Sequence, residues 1–229
     1  MVTVSEGPLE RLAAYAMRYV KPGQTLGLGT GRAAGAFIRA LGASRIPVRG
    51  VPTSLASEEL ARECGIELVG LGDVKRIDID FDGADEVDPR LNLIKGYGGA
   101  LVREKVVAAA SRKVVILVGP EKLVPKLGAH HRLPVEVVRF AEPFVLRELA
   151  KLGLKGRDRM DGDGNQFLSD NGNLIIDCHV TKIENPSRLE REILSIPGVV
   201  GTGLFVKMTD MVLVAPGPDC PVRVLRRKA

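Results

Sequence analysis

Residues 25–41, TLGLGTGRAAGAFIRAL, decide the fold. Thr25–Gly29 is a short apolar run of strand length, a glycine-rich turn follows, and from Gly31 to Leu41 the apolar residues Ala33, Ala36, Phe37, Ala40 and Leu41 recur at helical spacing. Working outward, the same alternation repeats. Val48–Pro52 reads as a strand, and Thr53 or Ser54 can cap a helix that runs through Cys64 with Glu58 and Glu59 in its early turns. Glu67–Val69, Ile77–Phe81 and Leu91–Ile94 read as strands, Gly98–Ala110 as a helix and Lys113–Val118 as a further strand. Short apolar strands alternating with helices imply βαβ units, a mostly parallel sheet in an α/β fold, and ligand sites at the carboxyl ends of the strands.

Near residue 130 the pattern changes. Leu133–Phe140 alternates with period two, and Glu142–Leu152 is amphipathic at helical spacing. Gln166–Ser169 and Leu174–Val180 flank Asp170-Asn171-Gly172-Asn173, a strong hairpin signal. A helix over Ser187–Leu194 and a strand over Val199–Val206 complete a β-α-β-β-α-β series, the order of a ferredoxin-like α+β unit. Asp210–Ala215 then rejoins the first sheet. The expected organisation is a main domain over 1–129 and 206–229, with a smaller domain over 130–205 inserted before the last strand.

At 229 residues the chain buries roughly 70% of its unfolded surface and has no need of disulfides or metals for stability. Only 4% of its residues are aromatic and none is Trp, which argues against a surface for stacking bases. The net charge is +5, but Arg223, Arg226, Arg227 and Lys228 supply four of those charges and read as a solvated basic tail, so nucleic-acid binding is not indicated. Cys64, Cys178 and Cys220 form no CxxC pair, no apolar run reaches 18 residues, and the N-terminus lacks a basic-then-apolar signal pattern. The expected setting is the reducing cytoplasm, away from membranes.

The glycine loop Gly27–Gly35 suits a phosphate, because glycines admit close backbone approach and the helix N-terminus presents N–H groups and a positive dipole end. A dinucleotide fingerprint would also require an acid closing the second strand, and Val51-Pro52-Thr53-Ser54 has none. A small phosphate ester is the favoured ligand, and a purely structural tight turn is the alternative. Further along, FDGADEVDPRLNLIKGYGGALVREK (81–105) holds two carboxylates three residues apart, Asp82 and Asp85, then Lys95, a glycine cluster and Glu104. Glu104 has Leu101, Ala100, Val107 and Ala108 as its helical neighbours, a face on which burial raises a carboxylate's pKa toward a useful range for a base. The bland alternatives are a solvated Glu104 paired with Arg103 or Lys105, an exposed Lys95, and an Asp85 that caps a turn with Glu86 and Asp88 solvated around it. Calcium loops fail at both Asp78 and Asp161, because the twelfth positions are Pro89 and Gly172 where a bidentate Glu is required. His130, His131 and His179 have no metal-binding spacing with the cysteines and read as surface or domain-boundary residues.

At these residues the chain resembles the ribose-5-phosphate isomerase A family. The matching motifs are GLGTG (27–31), PTS with Ser57 (52–57), DGADEVD (82–88), IKGYGGALVREKVVA (94–108), Lys122, LPVEV (133–137), SDNGNLIIDC (169–178) and IPGVVGTGLF (196–205). The resemblance implies a Rossmann-like, mostly parallel sheet carrying the small α+β domain, a homodimer or homotetramer, and a cofactor-free aldose–ketose isomerase of the pentose phosphate pathway. It implies that Glu104 is the base moving a proton between C2 and C1 of an open-chain sugar phosphate through an enediolate. It further implies that Lys95 stabilises the negative oxygen and that Asp82 and Asp85 handle hydroxyl protons and ring opening. Thr30, Gly31, Arg32, Ala33, Gly83, Ala84, Gly96, Tyr97, Gly98 and Lys122 would hold the substrate, with no metal. The family's TGST loop is here Thr30-Gly31-Arg32-Ala33, and Tyr97 interrupts its run of glycines. Two other classes compete. A sugar-phosphate sensor needs a DNA-binding helix pair before the first strand, where only about 20 residues stand, and a dehydrogenase needs the missing ribose acid.

Overall fold

The structure, a computed structural model, describes residues 7–130, 132–215 and 221–227. Its chain forms two compact units. The first comprises the chain to Gly83, Val106–Lys122 and Met208 onward; the second comprises Ala84–Lys105 and Leu123–Lys207.

In the first unit, β1 (Thr25–Leu28), β2 (Arg49–Pro52), β3 (Glu67–Leu68) and β4 (Ile79–Asp82) are joined by β7 (Val114–Val118), β13 (Met211–Val214) and β14 (Arg223–Arg226). The sheet order is β14-β13-β7-β4-β1-β2-β3, and every pair is parallel except β13 with β14. Omitting β14, this is the doubly wound order of dinucleotide-binding folds, with its switch point between β1 and β4. β1, β4, β7 and β13 are buried along their whole lengths, as central strands of a parallel sheet are, and β4 takes Asp80 and Asp82 into the interior with it. Helices α1 (Pro8–Ala16), α2 (Arg32–Ser44) and α3 (Leu55–Glu63) belong to this unit. The core gathers Leu12, Leu26, Leu28, Phe37, Ile38, Phe81, Val115 and Leu213, with the Phe37 and Phe81 rings stacked at 4.2 Å. Ser54 is the N-cap of α3, completing a reciprocal capping box with Ser57.

The second unit holds two sheets. β8 (Leu133–Val137), β9 (Lys155–Asp158), β10 (Leu174–His179) and β11 (Val199–Thr202), with α5 (Glu142–Lys151) and α6 (Pro186–Leu194), form an antiparallel sheet ordered β11-β8-β10-β9. This is the ferredoxin-like arrangement expected, around a core of Val135, Val137, Val145, Leu149, Ile176 and Ile193. A three-stranded sheet runs β12 (Leu204–Phe205), β6 (Leu93–Ile94), β5 (Glu86–Val87). Helix α4 (Leu101–Ala109) begins in this unit, and the division between units falls within it.

Several local expectations change. Leu91–Ile94 contributes β6 to the separate three-stranded sheet rather than to the parallel one, because its hydrogen bonds go to β5 and β12. The run 199–206 is divided between two sheets. The second ferredoxin strand is β9, whose polar Lys-Gly-Arg-Asp sequence hides it, while Gln166–Ser169 makes only isolated bridges at Gln166 and Leu168. Asp170–Asn173 is a turn as expected, closed by Gly172 N–H to Ser169 O at 2.8 Å. The basic C-terminal run is not merely a tail: Arg223–Arg226 is β14, so the insertion precedes the last two strands. His131, Cys220 and Lys228 lie outside the described residues. Among the described residues, no helix is long and apolar enough to cross a membrane.

Candidate active site

In the first unit the switch point is built from backbone. β1 and β4 run in register, Leu28 beside Phe81, so the residue after β1 meets the residue that ends β4. That residue is Gly29, where a Cβ would sit 2.5 Å from the Asp82 Cα. Only glycine lets the two chains close this tightly. Asp82 is 1% exposed, and its Oδ1 accepts from the N–H groups of Thr30 (3.0 Å) and Gly83 (2.7 Å). The Thr30 hydroxyl donates to Ser54 Oγ at 2.8 Å and lies 2.9 Å from Thr53 Oγ1. Gly31, at φ +98°, precedes the first turn of α2, whose N-terminal N–H groups point into the turn. Arg32 is exposed and Ala33 half-buried; the Arg32 side chain makes no hydrogen bond among the described residues. Lys122 closes a short 3-10 turn, its N–H on Gly119 O.

In the second unit Lys95 follows β6, and its N–H is held by Gly203 O at 2.9 Å. Its ammonium lies 3.3 Å from Glu104 Oε1, with the two side chains 4% and 6% exposed. Glu104 stands in the first turn of α4, on the buried face its neighbours predict, and pairs with Lys95 rather than with Arg103 or Lys105. Phe205 lies beneath this cation, its ring centre 5.5 Å from Lys95 Nζ and 5.0 Å from Lys105 Nζ. Lys105 is instead bound to Glu190 and Leu204 O, and burial lowers its pKa against the opposing pull of Glu190. An amine and a carboxylate shut away from water and in contact are equipped to move a proton and to meet negative charge as it develops.

Between Lys95 and α4 the chain turns through Gly96 at φ +100°, where a Cβ would stand 2.8 Å from that of Leu101. Tyr97 is 74% exposed and Gly98 is exposed. Asp85 is half-buried and accepts the Tyr97 N–H at 3.0 Å. The alternative in which Glu86 is solvated does not hold: it is fully buried, because its carboxylate collects the N–H groups of Gly128, Ala129 and His130. Asp88 likewise serves the turn, accepting from Arg90 and Asn92. Gly83 and Ala84 are half-buried in the link between Asp82 and Asp85.

Three sets of contacts near these groups could not be read from the sequence, although most of the residues that make them lie in its motifs. Thr53 and Ser54 read as helix caps, and Thr53 and Ser54 also reach the Thr30 hydroxyl. Arg159 and Asp177 form a bidentate pair, Nε to Oδ2 at 3.0 Å and Nη2 to Oδ1 at 2.5 Å, in segments whose charge reads as solvated. Glu136, in the interior of β8, accepts from Ser169, Asn171 and Asn173, and Asn171 in turn accepts from Arg103. An acid at an inward position of an otherwise apolar strand was the available signal.

A doubly wound sheet with a glycine turn at its switch point, and a buried lysine–carboxylate pair on either side of a glycine loop, mark an α/β enzyme of the phosphate-handling, proton-transferring class. Comparison with known proteins narrows this. Residues 49–217 match the family model for ribose 5-phosphate isomerase A (phosphoriboisomerase A). The ribose-5-phosphate isomerase A of Roseiflexus castenholzii is 46% identical over 91% of both chains, and that of Thermomicrobium roseum 45% identical over 97% of this chain and 95% of its own. Among solved structures, the ribose 5-phosphate isomerase A of Methanocaldococcus jannaschii superposes with a TM-score of 0.90 at 40% identity, covering 96% of this chain and 98% of that one. A D-ribose-5-phosphate isomerase in complex with phospho-erythronic acid gives 0.91 at 36% identity, with the same coverage. The chain belongs to the ribose 5-phosphate isomerase A family.

Proposed function

We propose that the protein interconverts D-ribose 5-phosphate and D-ribulose 5-phosphate by proton transfer, and the observation that carries this is the buried contact between Lys95 and Glu104. Glu104 removes the proton from C2 of the open-chain aldose, leaving an enediolate, and returns it to C1. The oxygen on C1 gains a proton while that on C2 loses one, so C2 becomes the carbonyl. Electrons and protons are redistributed within the substrate, and the step calls for no redox partner. Lys95 meets the negative oxygen as it forms. Asp82 and Asp85 carry the hydroxyl protons and open the ring. Thr30, Gly31, Arg32, Ala33, Gly83, Ala84, Gly96, Tyr97, Gly98 and Lys122 hold the sugar phosphate, with the α2 N-terminus as the phosphate end. The relative bound to phospho-erythronic acid supports this reading, since a carboxylate reproduces the planar pair of oxygens in an enediolate. The same reading puts the enzyme in the non-oxidative pentose phosphate pathway of the cytoplasm, as a homodimer or homotetramer whose mass light scattering would give.

Conversion of ribose 5-phosphate to ribulose 5-phosphate, without added nucleotide or metal, tests the reading for wild type and Glu104→Gln. A turnover number lower by about 10²-fold or more in the variant supports Glu104 as the base. Equal rates remove Glu104 from that role, and an inactive wild type that still binds ribose 5-phosphate overturns the enzymatic reading.

A further inference from the structure

The loop that follows Lys95 is held from behind by a charged group with no place in the proton-transfer scheme. Arg159 lies just beyond β9, its side chain 11% exposed, and Asp177 on β10 grips it through two parallel hydrogen bonds. Such a fork fixes the plane of a guanidinium as well as its position. The remaining nitrogen, Nη1, donates to two successive backbone carbonyls, Gly96 O at 2.9 Å and Tyr97 O at 2.8 Å. The guanidinium carbon also sits 5.9 Å from the Tyr97 ring centre and 5.8 Å from that of Phe167.

Those two carbonyls determine where the loop's donors point. In a trans peptide the N–H lies opposite the C=O. With the Gly96 carbonyl on Arg159, the next N–H, that of Tyr97, points the other way and lands on Asp85 Oδ2 at 3.0 Å. With the Tyr97 carbonyl also on Arg159, the Gly98 N–H is turned to the side away from the guanidinium. Gly96 at φ +100° and Gly99 at φ +85° have no intrinsic preference for this conformation over others, so a loop of three glycines needs an external restraint.

We propose that Arg159, locked by Asp177, is a positioning residue for the isomerase reaction: it orients the peptides after Lys95, and through them Asp85 and the loop donors, toward the substrate. This rests on the reading of Lys95, Asp85 and Glu104 given above. The restraint acts on groups that meet charge developing at the reacting carbons. Losing it weakens binding of an enediolate mimic more than binding of the substrate ground state.

The test compares wild type, Arg159→Met and Arg159→Lys for kcat and KM with ribose 5-phosphate and for the inhibition constant of phospho-erythronic acid. The expected result for Arg159→Met is a kcat lower by about tenfold or more and an inhibition constant raised by a similar factor, with KM rising less. Arg159→Lys gives little rescue, because an ammonium cannot serve a carboxylate and two carbonyls in one plane. Since Arg159→Met strands the Asp177 carboxylate, the double variant Arg159→Met/Asp177→Leu removes both charges together and shows the same kinetic pattern if the single variant does not fold. A fall in kcat with both constants unmoved is the mark of lost active protein only, and it overturns the proposal, as do unchanged kinetics. Glu104→Gln measured alongside separates the two ideas: full turnover in that variant sinks the base assignment, whereas its collapse beside wild-type kinetics in Arg159→Met sinks only the role of Arg159.

Discussion

Lys95 and Glu104 compensate each other in a place where either charge alone would be costly. Removing one partner of a buried pair leaves the other uncompensated, typically a loss of about 3–5 kcal/mol, so Lys95→Met should lower both turnover and the urea midpoint. Arg32 is the reverse case. It is exposed at the first position of α2, its side chain makes no hydrogen bond among the described residues, and it stands where the family's loop has a hydroxyl. If its guanidinium serves the substrate phosphate, Arg32→Ser raises KM for ribose 5-phosphate far more than it changes kcat. An unchanged KM disposes of that role. Glu104 could be singled out from sequence because four apolar neighbours define its face. Arg159 could not, because nothing local distinguishes Arg157-Asp158-Arg159 from any solvated charge run.

At the scale of elements, the parallel sheet was legible because β7 and β13 are continuous apolar runs and β1 and β4 are short segments that alternate with helical stretches. What escaped was governed by partners distant in the chain. β9 is a polar edge strand whose strand pairing is with β10, and the break between β11 and β12 follows from pairing to two different strands. Helix α3 shows a local rule at work. Thr53 and Ser54 were equal candidates for its cap, and Ser54 takes the place with the Ser57 N–H on its Oγ at 3.0 Å. Ser54→Ala should cost about 1 kcal/mol, read as a lower urea midpoint at unchanged slope. No shift would mean that the cap's hydrogen bonds are replaced by water without loss.

For the whole molecule, the fold buries one thiol deeply. Cys178 lies inside the ferredoxin-like sheet, and burial, with the Asp177 charge adding to it, pushes its pKa up to about 12 from an ordinary value near 9. A raised pKa stabilises the folded state fully below pH 9, where both states are protonated, and that contribution is lost as pH rises from 9 toward 12. Wild type should therefore lose stability more steeply over this window than Cys178→Ala, by up to about 1.4 kcal/mol per pH unit. Equal slopes would show that the thiol ionises alike in both states. The parallel sheet, for its part, ends on one side in the two-residue β3 and on the other in β14, whose Arg223 and Arg226 face solvent. Beneath β14 lies β13, four residues each no more than 3% exposed. The basic strand is thus a lid on a sticky edge, charged on its outer face so that a second chain finds no template there. A chain stopped at Val222 would lay Met211–Val214 bare, and it should precipitate on gentle warming where the full chain remains clear.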